Sequence, residues 1–375
     1  MVLSPEPVTA IRPQVVGRDI SELPTPCLLV DLDALIFNLD LMAARAKELG
    51  VILRPHAKGH KSPQLAQMQV DRGAVGVTVA TVGEAAAMLQ SGIPDVFIAN
   101  QIVGPAKIDM LMHTSTLGRL SVAIDDPANV RELAAAACAS GTSLGVLVEV
   151  DIGMGRAGVR SASEAAELGL LAQSLDGIHM RGVHAYEGHV LREPEPVARA
   201  AKIGDAIDKL TAAVSALEAA GVRCEVVTAG GTGSYAISAK DPRLTDLQAG
   251  SYALMDAFHR PFAPEFAMAL SVGATIVSSH SDTFVADIGR KSVGIENGPP
   301  EIFGTGRQPR YLAEEHALFD SEGSPLPLGE FIRVIPGYGP STANLYAMYF
   351  VVRGTTVVDA WPIVGRAPML PGASW

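Results

Sequence analysis

Val51-Ile-Leu-Arg-Pro-His-Ala-Lys58-Gly-His-Lys61 runs from residues suited to a strand into a proline, then sets a lysine between His56 and His60. A lysine just past the C-terminal end of a buried strand is poised to lose its proton, because burial and neighbouring cations disfavour the ammonium. In that state it is the nucleophile that joins an aldehyde cofactor as a Schiff base. A basic loop that binds solvent or an anion has the same composition, and this stretch alone leaves both readings open. The surrounding chain has to decide between them.

Outward from Val51–Leu53, short apolar runs alternate with helical periods. Strand character is expected at Cys27–Asp31, Val75–Ala80, Asp95–Ala99, Leu120–Ile124, Leu144–Val150, His179–Ala185 and Cys224–Thr228. Helices are expected between them. One is capped by Asp31-Leu-Asp33 and ends at Leu49-Gly50, one opens at Ser62-Pro63, and one opens at Asp126-Pro127 and ends at Ser140-Gly141. Others cover Gly83–Gln90, Pro105–His113, Ser163–Ser174 and Pro196–Ala220. Leu144–Val150 is apolar apart from one Glu, the pattern of a strand covered on both faces. Eight strands alternating with helices over roughly 200 residues predict a (β/α)8 barrel. A doubly wound open sheet is the alternative, but no Gly-x-Gly-x-x-Gly turn follows the first strand.

From about Ala267 the texture changes to short β-rich runs separated by Gly and Pro: Leu270–Ser278, Thr283–Asp287, Phe331–Ile335, Ala347–Arg353 and Thr356–Trp361. The expected division is an N-terminal arm over 1–24 that joins the β-domain, a barrel over 25–265 and an all-β domain over 266–375. The arm holds four prolines and no periodicity, so it is expected to be extended. A length of 375 residues accommodates this, and 48% apolar with 18% charged residues fits a compact soluble enzyme. A net charge of −11 with a pI near 5.3 argues against nucleic acid or an anionic membrane as partner. The three cysteines, Cys27, Cys138 and Cys224, have no metal-ligand spacing and are expected to be free buried thiols in a reducing compartment. No charged n-region precedes an apolar segment, and a cytoplasmic location is expected.

In a barrel the working groups stand at the C-terminal ends of strands. Lys58 is so placed. Glu149-Val-Asp-Ile-Gly-Met-Gly-Arg156-Ala-Gly158 follows another strand, and its glycines allow close approach to a ligand and aim Arg156 inward; a turn with a surface arginine is the simpler alternative. His184-Ala-Tyr186-Glu-Gly-His189 offers acid–base groups, although each histidine alone is more simply a satisfied polar side chain. Thr228-Ala-Gly230-Gly231-Thr232-Gly-Ser234 presents successive backbone N–H groups and hydroxyls, a nest for phosphate. Combined with Lys58 it points to a phosphate-bearing aldehyde, hence pyridoxal 5′-phosphate. Gln248-Ala-Gly250-Ser251-Tyr252 adds another close-approach turn, with Gln248 and Tyr252 as cofactor neighbours.

With Thr25-Pro26, Arg54-Pro-His-Ala-Lys58, Val103-Gly-Pro-Ala-Lys107, Glu149–Arg156, Gly230–Ser234, Gln248–Tyr252, Glu315-His316 and Thr342-Ala-Asn-Leu345, the chain resembles the D-threonine aldolase and D-serine dehydratase family over nearly its whole length. The barrel of that family is similar to that of alanine racemase. The resemblance implies that Lys58 holds the cofactor, flanked by His56, that Arg156 lies near its phenolic oxygen, and that Tyr186 faces its ring. It further implies that Gly231, Thr232 and neighbouring amides bind the phosphate, with Tyr252 nearby. It also implies a homodimer, with the β-domain of one subunit closing the barrel mouth of the other.

The sequence departs from the family at one place. The aldolases and dehydratases carry a His and an Asp or Cys in a Gly-His-x-Asp-Pro-Thr-like stretch that binds a divalent metal. Here the chain reads Gly337-Tyr338-Gly339-Pro340-Ser341-Thr342. Proline has no ligand atom and neutral tyrosine is a poor ligand for the usual ions, so the metal is expected to be absent. The expected activity is a lyase converting D-configured β-hydroxy amino acids to a glycine-type amino acid and an aldehyde. Lys58, His189 and Tyr338 are its expected catalytic residues, His189 or Tyr338 acting at the hydroxyl in place of the metal. The alternatives are a D-amino acid dehydratase or deaminase, or a racemase.

Overall fold

A computed structural model describes residues 6–366. Residues 1–5 of the expected arm and 367–375 of the expected β-domain lie outside that range. Two sheets organise the chain. The first joins eight parallel strands, β2 (Ile52–Leu53), β3 (Val77–Val79), β4 (Asp95–Gln101), β5 (Arg119–Ile124), β6 (Leu144–Glu149), β7 (Ile178–His184), β8 (Val226–Ala229) and β9 (Asp246–Leu247), in the order β2-β9-β8-β7-β6-β5-β4-β3. The sheet curls until its ends meet. Val75 N–H donates to the Leu53 carbonyl at 3.0 Å and Thr78 N–H to that of Pro55 at 2.9 Å, with His56 and Thr78 bridged in parallel. This is the expected (β/α)8 barrel of alanine racemase type. Helices α2 (Leu32–Leu49) through α8 (Pro196–Ala219) pack outside it, and the short α9 (Tyr235–Ser238) follows β8. They begin at the anticipated caps: Asp31 accepts from Ala34 N–H, Ser62 from Leu65 N–H and Asp126 from Ala128 and Asn129 N–H.

The strand series differs from expectation at both ends. β1 (Cys27–Asp31) is a strand, but it leaves the barrel and lies in the second sheet, antiparallel to β10 (Leu270–Ser279) and parallel to β16 (Met348–Arg353). Its five residues are almost wholly buried, and an apolar run of that kind suits the middle of either sheet, so its own pattern cannot choose between them. The eighth barrel strand is instead β9. It contributes only Asp246–Leu247, pairing with β8 and β2, too short for any period to register. Every strand-end motif therefore stands one barrel position earlier than predicted, and the glycine-rich Thr228–Ser234 turn follows the seventh strand.

Interior charges hold Arg54, and with it the Lys58 stretch, in place. Arg54 pairs with Asp95 at 2.9 Å and with Asp246 at 2.8 Å, while Arg181 reaches Asp95 at 3.3 Å, all of them buried. Buried charges arranged like this are costly to break singly, on the order of 3–5 kcal/mol, because the surviving partner stays buried.

The second sheet runs β13 (Tyr311–Leu312), β14 (Ala317–Asp320), β11 (Thr283–Ala286), β10, β1, β16, β17 (Thr356–Pro362), with β15 (Phe331–Ile335) on β10 and β12 (Glu301–Ile302) on β15. It is mostly antiparallel, as the texture beyond Ala267 predicts. One helix interrupts it, α10 (Gly339–Leu345), where none was expected. The N-terminal segment is not extended in its described part: Glu6–Val15 is α1, and Arg12 pairs with Asp359 of β17.

Candidate active site

A cavity of about 370 Å³ opens at the C-terminal ends of the barrel strands, within the size range of small-ligand sites. Lys58 reaches it from the turn after β2, where His56 caps a short 3-10 turn and its Nδ1 accepts from Lys58 N–H at 3.4 Å. The Lys58 ammonium lies 5.8 Å from the centre of the Tyr186 ring. Its pKa falls below the ordinary lysine value, first through desolvation and then through the nearby Arg156 guanidinium, with Glu84 opposing. His56 is held well below the usual imidazole range by burial and by Lys58, and burial brings His184 down to about 3. The amine thus sits among rings that stay neutral, and becomes a nucleophile at lower pH than a surface lysine.

His56, Lys58, Arg156, Tyr186, Gly230, Gly231, Thr232, Gln248, Gly250, Ser251 and Tyr338 all line this one cavity. Gln248 Nε2 meets His184 Nδ1 at 2.8 Å, which makes Nδ1 the acceptor and places the ring proton on Nε2. Arg156 is half-exposed and stands 3.5 Å from Glu149, whose other oxygen accepts from Gln101 Nε2 at 2.6 Å.

The glycine-rich turn departs in detail from a simple nest. Ser234 Oγ is committed inward: it donates to Glu187 at 2.7 Å and accepts from Gly231 N–H at 3.0 Å. Glu187 is fully buried and also accepts from Ser238 Oγ at 2.5 Å and Gly230 N–H at 3.3 Å, so it braces the turn from beneath. Four backbone N–H groups, those of Thr232, Gly233, Gly250 and Ser251, have no partner among the described residues. A Cβ on Gly250 would lie 2.5 Å from the His56 carbonyl oxygen, so only glycine lets the two turns approach. Thr228 Oγ1 and His184 Nε2 are buried polar atoms without a partner, and a phosphate-bearing ring seated here would supply one to such groups.

Three expected residues stand elsewhere. Tyr252 is in the core, where its hydroxyl accepts from Gln69 Nε2 at 3.0 Å, while its N–H donates to Thr232 Oγ1 at 2.9 Å; it shapes the turn from behind. Thr228 is fully buried beneath the cavity. His189 is half-buried outside the cavity wall, its ring against Gly153.

The chain's own α10 segment reaches the same cavity, where Tyr338 and Pro340 join Lys58 in the lining and Pro340 lies against Gly59. Sequence reasoning missed Asn100, Gln101, Leu191 and above all His259, which lines the cavity beside Tyr338. The Asp256-x-x-His259 spacing after the last barrel strand was the available signal.

Comparison with known proteins follows this geometry. Residues 30–257 match the model of the alanine racemase N-terminal domain, and 269–352 match a serine dehydratase domain. The chain is 36% identical to a 3-hydroxy-D-aspartate aldolase of Paracoccus denitrificans (strain Pd 1222), covering 94% of this chain and 95% of the relative. It is also 36% identical to a D-threonine aldolase of an Arthrobacter species, covering 93% and 94% respectively. The crystal structure of D-threonine aldolase from Filomicrobium marinum superposes with a TM-score of 0.91 at 36% identity, over 94% of this chain and 98% of that one.

Proposed function

Because the chain belongs to the D-threonine aldolase branch of the alanine racemase N-terminal domain family, we propose that it is a pyridoxal 5′-phosphate-dependent carbon–carbon lyase. It cleaves D-configured β-hydroxy-α-amino acids to glycine, or a substituted glycine, and an aldehyde. The observation that carries this is the placement of a pKa-depressed lysine amine, a facing tyrosine ring and the partnerless backbone N–H groups of Thr232, Gly250 and Ser251 around one cavity. Lys58 would hold the cofactor, and the amides of Thr232, Gly250 and Ser251 its phosphate. Arg156, His56, Tyr186 and Gln248 would surround the ring, with Thr228 beneath. When bound, the cofactor accepts the electron pair left on Cα.

The chain's own groups supply the rest. Lys58 exchanges a proton at Cα. Tyr338, its phenol kept protonated by desolvation and by Asp256, donates a hydrogen bond to the β-oxygen. His189, outside the cavity wall, orders the loop around Gly153. A divalent metal does not fit this donor set. Tyr338 and Pro340 occupy the positions that carry its ligands in the family, and no three His, Cys, Asp or Glu side chains converge among the described residues. No step is therefore assigned to one. The chain is proposed to act as a homodimer in the cytoplasm. The family resemblance supports the first, and the free thiols fit the second, although only Cys27 is buried as expected, Cys224 being half-buried and Cys138 exposed.

The test is product analysis of cofactor-loaded, chelator-treated protein supplied with D-threonine and with D-3-hydroxyaspartate. Glycine with acetaldehyde or glyoxylate is expected. A 2-oxo acid with ammonia would move the assignment to a dehydratase, and epimerised substrate to a racemase.

A further inference from the structure

Asp256 is 1% exposed, and both its oxygens are committed. Oδ1 accepts from the His259 backbone N–H at 2.8 Å and stands 2.8 Å from His259 Nδ1. Oδ2 accepts from Gly339 N–H at 2.7 Å. Two backbone N–H groups donate to this carboxylate, and with its Oδ1 as acceptor at 2.8 Å the imidazole Nδ1 is the donor. Nε2 is then the basic nitrogen of His259, and it makes no hydrogen bond among the described residues. The imidazole stacks on the Tyr338 ring at 5.8 Å and 24°, with Phe258 edge-on to both. His259 and Tyr338 line the same cavity as Lys58. One buried carboxylate thus orients an imidazole and also anchors the turn that carries Tyr338.

We infer that Asp256 and His259 form a carboxylate–imidazole dyad that deprotonates the substrate's β-hydroxyl, with Tyr338 holding that oxygen. This rests on the aldolase assignment above and names the base within it. The step balances. The hydroxyl proton passes to His259 Nε2 and the O–H pair becomes the second bond of the aldehyde carbonyl. The Cα–Cβ bond breaks, its pair stays on Cα, and Lys58 delivers a proton there. His259 returns its proton to water, and water restores that of Lys58. Asp256 is the positioning residue, since it touches His259 and not the cavity.

The experiment compares two reactions of the cofactor-loaded, chelated enzyme: cleavage of D-threonine, and exchange of the glycine α-proton in D2O followed by NMR. The second involves no hydroxyl. His259→Asn should lower kcat for cleavage on the order of 10²–10⁴-fold, while α-proton exchange and the cofactor's visible absorption change less than about threefold. His259→Gly with added imidazole should recover part of the cleavage rate, a rescue that a purely structural histidine would not show. Asp256→Asn should lose cleavage about tenfold or more and regain it in Asp256→Glu. Wild-type cleavage by His259→Asn, or a parallel fall in exchange, overturns the dyad while leaving the aldolase assignment standing. The same holds if His189→Asn alone abolishes cleavage, or if chelation does so and Mn²⁺ restores it. Glycine exchange by wild type without cleavage of any D-β-hydroxy amino acid overturns the aldolase assignment, and the dyad with it.

Discussion

The two sides of the cavity are built differently. On the barrel side, functional groups project from strand ends, and polar atoms are left without partners: the buried Thr228 Oγ1 and His184 Nε2, and the amides of Thr232, Gly250 and Ser251 at the cavity. On the mouth side, Asp256, His259 and Gly339 satisfy one another, and Tyr338 is fixed by stacking. Partnerless buried groups cost free energy unless a ligand completes them, whereas a satisfied cluster is already in its working geometry. The barrel side is shaped to receive a permanent guest. The mouth is shaped to present side chains to a transient one.

Removing the attachment point should break this contrast most severely. Lys58→Ala is expected to abolish the cofactor's visible absorption on the protein and to lower turnover on the order of 10³-fold or more. A band that stays with the mutant protein would refute the lysine assignment.

Acid should act next, and through the barrel side. His60 and His184 are pushed down to about 3 from an ordinary value of 6.5, in both cases mainly by burial. The unfolded chain binds a proton on each near pH 6.5, while the native chain does not until near 3. The neutral rings therefore contribute in full above 6.5, and stability falls as pH drops through the window from 6.5 to 3. The fall is about 1.4 kcal/mol per pH unit for each group. Urea midpoints at pH 7, 6 and 5 should decline in sequence. A flat profile would show that these rings are not buried and neutral.

The smallest expected effect sharpens the contrast. Thr228→Val replaces a partnerless buried hydroxyl with a methyl group of similar shape, so the cofactor-free protein should be no less stable by thermal denaturation. Cofactor affinity should weaken by about 1 kcal/mol, roughly fivefold. Unchanged affinity would remove Thr228 from the cofactor site, and a destabilised cofactor-free protein would show that its hydroxyl was satisfied after all.

Most of the barrel side was legible in the residues. Lys58 stands between two histidines after a strand, Gly230-Gly231-Thr232 interrupts a period, and Arg156 follows a glycine-rich strand end, each a local pattern with a local cause. What could not be read was the count around the barrel. β1 has the composition of a barrel strand and β9 has almost none of its own, yet pairing places the first in the other sheet and the second between β2 and β8. Tyr252 shows the same limit. Its motif was visible, but the direction of its side chain, toward Gln69 and not the cavity, depended on how the turn docks.

The sequence by itself determined the alternation of strand and helix and the lysine with its glycine-rich companions, because each lies within a few consecutive residues. Only the tertiary structure brought Asp256 and His259, at the barrel's end, against Tyr338 and Gly339, roughly eighty residues later in the α10 segment that interrupts the second sheet. Contacts between such distant segments are set by which strands pair and how two sheets meet, and no period or spacing along the chain records that.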